Sequence, residues 1–134
     1  MKKTIILLLS IVLLSSCLDE VKNVSQPVIL PIESYTVPTS FKFGESDTIK
    51  VKYLLPNNCF SFYSVYYQYQ DTTRIVAINS IQQLDAQCSE DEIEKETEFI
   101  VNPLQREDYL FRFYKGVDDE GKNIFEDVAV PVEE

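Results

Sequence analysis

An antiparallel β-sandwich of about seven short strands is the fold class this sequence predicts. Runs rich in β-branched and aromatic residues recur along it, turn signals separate them about every 8 to 12 residues, and no segment combines a helical period with a face to bury. The clearest strand is Asp47 to Leu55, in which Ile49, Val51, Tyr53 and Leu55 alternate with polar residues until Pro56-Asn57-Asn58 ends the run. Phe60 to Gln70 and Arg74 to Ile78 read as neighbouring strands of one sheet, separated by Asp71-Thr72-Thr73. After Cys88, Ser89 and Glu92 match a capping box, but only Ile93 precedes Phe99 as an apolar residue, so this acidic stretch predicts loop and then strand. Tyr109 to Tyr114 and Asn123 to Val130 flank the turn-rich Gly116 to Lys122 and predict a terminal hairpin.

The chain divides into three parts. Lys2 and Lys3 followed by the apolar run Ile5 to Leu14 and small residues have the order of a secretory signal over residues 1–16. That run is half of the roughly 20 residues needed to span a bilayer, so it does not serve as a permanent anchor. Residues 17–34 predict a lipidated N-terminus and extended tether, with Pro27 and Pro31 inside it, leading to an edge strand near Tyr35-Thr36-Val37. Residues 35–134 are one domain, long enough to bury an independent core.

Composition narrows the function. Loss of the signal leaves ten basic against twenty-two acidic residues, and the remaining Lys and Arg are scattered, so nucleic acid is excluded as a partner. If Cys17 is consumed by lipid, Cys59 and Cys88 remain as an even pair in an oxidising compartment and predict a disulfide. A redox or metal pair is the alternative, but there is no C-x-x-C and no histidine.

Leu14-Ser15-Ser16-Cys17 resembles the lipobox of bacterial lipoprotein precursors, which implies a diacylglycerol thioether on Cys17 and membrane attachment through it. Leu18 in place of Asp implies the outer membrane, and Asp19-Glu20 is similar to the acidic display signal of Bacteroidota lipoproteins, with periplasmic and surface orientations both open. The runs Lys50-Val51-Lys52-Tyr53, Tyr66-Tyr67-Gln68-Tyr69-Gln70-Asp71 and Arg112-Phe113-Tyr114-Lys115-Gly116 also resemble small lipoproteins of that group, a resemblance that implies no activity. Glu107-Asp108-Tyr109-Leu110-Phe111 resembles the tyrosine corner of immunoglobulin-like sandwiches, with Phe111 where a Cys is usual and no Trp in the chain.

No arrangement for catalysis is visible. Without histidine there is no imidazole base, and there is no G-x-S-x-G or phosphate-cradling glycine loop. A small hydrolase would rest on carboxylate pairs alone, and twenty-two acids supply such pairs by chance. A calcium-adhesin reading would align Gly121 with an EF-hand glycine, but Gly116 then falls where an Asp is required, so a hairpin tip explains Asp118 to Lys122 and no metal or cofactor is expected. The aromatic run is the remaining feature. With Tyr63, Val65, Tyr67 and Tyr69 facing the core, Tyr66, Gln68 and Gln70 form an exposed strip suited to a protein or glycan ligand. The expectation is a non-catalytic binding or assembly module of the cell envelope, with a glycan-binding accessory protein as the alternative.

Overall fold

The computed structural model describes residues 24–134 and is an all-β sandwich. The expected signal sequence over residues 1–16, Cys17 with its expected lipid, and residues 18–23 lie outside the described part. Seven strands of six residues or more form the body: β1 (Ser25–Leu30), β4 (Asp47–Leu55), β5 (Phe60–Gln70), β6 (Thr73–Gln83), β7 (Ile93–Val101), β8 (Tyr109–Val117) and β9 (Asn123–Val130). Three short ones, β2 (Ser34–Thr36), β3 (Phe41–Lys42) and β10 (Val132–Glu133), complete it.

One sheet holds five strands. β6 pairs antiparallel with β5 on one side, and its other side is shared: β1 runs antiparallel along Ile78 to Gln83, and β8 runs parallel along Thr73 to Val76. β9 lies outside β8. The second sheet is β2-β4-β7, antiparallel throughout, and a parallel β3–β10 ribbon sits beside the two. On β4, Ile49, Val51, Tyr53 and Leu55 point inward as their alternation requires, into one core with Val76, Ile78, Phe111 and Phe113 of the facing sheet. Its outward residues Lys50 and Lys52 lie opposite Glu98 and Glu96 of β7. The acidic stretch is thus loop to Glu92 and a strand with a solvated charged face from Ile93.

The stretch expected to be tether overlaps the folded domain. Residues 25–34 belong to the sandwich: β1 pairs along its whole length with β6, Leu30 and Ile32 are buried in the core, and Ile32 N–H donates to Tyr114 O at 2.8 Å. Prolines suggested a linker, yet an edge strand accepts them because its outer side needs no donor, and β1 has only β6 as a strand partner among the described residues.

Two local devices hold the ends of β8. Leu104 N–H donates to Tyr109 Oη at 3.2 Å, closing a tyrosine corner two residues before fully buried Phe111. At the far end Asp118 builds the hairpin tip: its carboxylate accepts from Glu120 N–H and Lys122 N–H, both at 2.9 Å, and Gly121 takes a φ of 80° that disfavours other residues. That carboxylate is committed to the turn. Tyr109→Phe is expected to cost about 1 kcal/mol in urea unfolding, the net contribution of one hydrogen bond, with the fold retained; an unchanged midpoint would leave the corner without energetic weight.

Candidate functional site

β5 carries the aromatic run, and a bulge decides which way its rings point. Phe62 pairs with Ser80 and Ser64 with Asn79, so Tyr63 has no opposite residue and is 71% exposed rather than core-facing. The bulge shifts the alternation by one. Phe60, Val65 and Tyr67 can therefore all pack on the core despite their odd spacing, and Phe62 contacts Tyr53 at 5.9 Å between ring centroids. Tyr69 shares the inward side of Tyr67 but reaches past the sandwich end and is 68% exposed.

Tyr66 and Gln68 lie on the outer face, as expected from the sequence. Tyr66 Oη donates to Gln68 Oε1 at 2.7 Å, which fixes the amide and leaves its two N–H donors without a protein acceptor among the described residues. Gln70 is on the same side but pairs with Thr73 at the hairpin turn, away from the other two. Beside Tyr66 and Gln68 the face sinks into a depression of about 320 Å³, floored by Ile75 and Ala77 of β6 and bounded across the sheet by Tyr114, Asn123 and Phe125. Tyr114 and Phe125 are neighbours with centroids 6.0 Å apart, and the Arg112 guanidinium sits 4.5 Å over Phe125 while bonding Asp127 at 3.0 Å. Three rings and two amides therefore surround an apolar floor, with no carboxylate or thiol in the lining.

Sequence reasoning found the β5 half of this site and missed the rest. The signal was available: with Tyr109, Phe111 and Phe113 buried, a period of two puts Arg112 and Tyr114 outside, and the hairpin register brings Phe125 opposite Tyr114.

A second depression of about 330 Å³ opens at the end of the sandwich between β5 and β7, lined by Tyr67, Tyr69, Arg74, Leu104, Gln105 and their neighbours. Arg74 is only 5% exposed; it alternates with Val76 and Ile78 on the core side of β6. Tyr67 lies beside it, and burial pushes the Tyr67 hydroxyl up to about 12, against the lowering effect of the Arg74 charge. An unfolded Tyr67 ionises near 10, so its contribution to stability is whole below pH 10 and is lost as pH rises toward about 12. Tyr67→Phe should flatten the fall in stability across that window, and an unaltered slope in alkaline urea titrations would contradict the assignment.

The cysteine pair is a disulfide: Cys59 and Cys88 are joined, with their Cα atoms 5.5 Å apart. Among the described residues no three Asp, Glu or Cys side chains converge as a metal site, and no helix is long and apolar enough to cross a membrane. No protein-family model, curated protein or solved structure matches the chain.

Proposed function

We propose that this chain is a non-catalytic binding module of the bacterial cell envelope, held at the outer membrane by lipid on Cys17 and binding through the outer face of its five-stranded sheet. The ring-and-amide depression around Tyr66 and Gln68 carries this reading. Tyr66, Tyr114 and Phe125 offer flat apolar faces that no core contact requires, and Gln68 and Asn123 offer directional hydrogen bonds beside them. Absence of charged side chains from the lining favours a neutral ligand, and flat rings with flanking amides suit the apolar faces and hydroxyls of a glycan.

The glycan form of this reading predicts weak, salt-insensitive binding to an envelope glycan that is lost in Tyr66→Ala, with the melting temperature moved by no more than about 3 °C, as for a surface substitution. A folded chain that binds nothing across an envelope-glycan panel removes it. Placement is tested by protease shaving of intact cells, wild type against Cys17→Ala, with a periplasmic protein as leak control. Cleavage of the wild type alone puts the module outside and directs the search to external glycans. Protection puts it in the periplasm. Recovery of wild type in the soluble fraction, as for Cys17→Ala, would overturn the lipid anchor.

A further inference from the structure

Arg74 is the buried cation of an acidic protein, and it has no acidic partner. The chain's other two arginines both pair with carboxylates, Arg106 with Glu134 and Arg112 with Asp127. Arg74, nearly closed off from solvent, forms no salt bridge among the described residues. Its Nη1 donates to the backbone oxygens of Asp71 at 2.7 Å and Thr73 at 3.1 Å, and its Nη2 to Gln105 Oε1 at 2.9 Å. Its Nε has no partner. The Tyr69 and Tyr109 rings flank the guanidinium with centroids at 4.3 and 4.9 Å.

A buried charge is costly unless it is paired, and a buried donor without an acceptor adds to that cost. The Nε and Nη2 edge of a guanidinium presents two parallel donors that match the two oxygens of one carboxylate. Here that edge holds a single neutral oxygen, from an amide on the loop between β7 and β8. Arg74 lines a depression whose rim carries exposed Ile100 and Leu104, apolar side chains 67% and 76% accessible, and its Nε lies buried beneath that surface.

We infer that the sandwich-end depression is a carboxylate-binding site, in which a small organic acid takes the Nε and Nη2 edge of Arg74 as the Gln105 amide turns aside. Its body lies against Tyr69, Ile100 and Leu104. A volume of about 330 Å³ has room for a ligand of about ten non-hydrogen atoms, judged against the ~30 Å³ share of a water molecule. This site is separate from the outer face, with no lining residue in common, so either proposal can fail without the other.

The test is a titration of the full chain, purified in detergent, followed through the Arg74 Nε–H signal by nuclear magnetic resonance. Benzoate is the probe and benzamide its neutral counterpart. Benzoate is expected to shift that signal and to bind at least about tenfold more tightly than benzamide, as a charged acceptor exceeds a neutral one. Glucuronate and N-acetylphenylalanine then distinguish a sugar acid from a peptide-like acid by which binds more tightly. Two variants at the partly exposed Gln105 avoid unfolding the core. Gln105→Glu hands the guanidinium an internal carboxylate and should weaken benzoate about tenfold or more, whereas Gln105→Ala removes the competing amide, together with its donations to Glu107 O at 3.3 Å and Asp108 O at 3.2 Å, and should keep the affinity within about threefold. Equal binding of benzoate and benzamide, or equal behaviour of the two folded variants, overturns the proposal.

Discussion

Phe111→Ala is expected to remove about 3–5 kcal/mol of folding stability, the range for deleting a buried aromatic ring. Phe111 is fully buried at the centre of β8, and its ring contacts those of Phe41, Tyr109 and Phe113, each with centroids 6.0 Å apart or close to it. Phe41 comes from the β3–β10 ribbon, so the vacated space lies where ribbon and five-stranded sheet meet. Backbone pairing of β8 with both β6 and β9 holds the strand in place and prevents collapse into the hole. For a domain of this size the loss corresponds to roughly 15–30 °C in melting temperature, a large part of a typical total of 5–15 kcal/mol. Phe111→Leu keeps most of the volume and should recover more than half of the loss. A fall of under about 1 kcal/mol in Phe111→Ala would mean that the ribbon, not the ring cluster, closes this part of the core.

Legibility of the fold followed how locally each element is specified. Strand β4 was readable because Ile49, Val51, Tyr53 and Leu55 alternate without interruption, and the terminal hairpin because Asp118 and Gly121 dictate the turn. The tyrosine corner was readable because five consecutive residues encode it. Strand β1 was not, since Pro27 within it and Pro31 just after it suggested a linker, and only the long-range pairing with β6 reveals that the edge position accepts Pro27. The direction of Tyr63 failed for a related reason. A bulge is a property of two strands together, and nothing in Phe60 to Gln70 alone says where its alternation slips.

The candidate sites divide in the same way. Adjacent aromatics at Tyr66 and Tyr67 required one ring to face outward, so the outer strip was visible from one strand, while Tyr114 and Phe125 join it only through sheet order. Arg74 was passed over as one of several scattered cations. Yet Arg74, Val76 and Ile78 share a face by simple alternation, which already places a charge in the core. What no sequence pattern carries is that the loop meeting Arg74 brings Gln105, a neutral amide, instead of a carboxylate.

Removing the disulfide, by reduction or in a Cys59→Ala, Cys88→Ala double variant, is expected to cost about 3.5 kcal/mol, the chain-entropy value for a closed loop of this length. The bridge spans a sequence separation of 29, encloses β5 and β6, and ties down at Cys88 the segment from Leu84 to Glu92, the longest stretch without regular structure among the described residues. In the folded state that segment has few other attachments. Ser89 N–H donates to Asn58 Oδ1 at 2.9 Å, Asn58 N–H donates to Ser89 Oγ at 3.3 Å, and Cys59 itself is buried while Cys88 is exposed. Two consequences separate the entropic account from a merely local one. If the bridge acts mainly on the unfolded chain, its loss should steepen the urea dependence, because the freed chain exposes more surface on unfolding. Amide exchange in β5 and β6 should then rise in step with the loss of global stability, as for strands that open with the whole domain. If the bridge acts only by pinning the loop, the urea slope stays fixed and faster exchange is confined to residues 84–92. The first pattern is expected, because the β5–β6 hairpin is held by its own ladder from Phe60 to Gln70, interrupted only at the Tyr63 bulge, leaving the unfolded state as the place where a cross-link of this span has most effect.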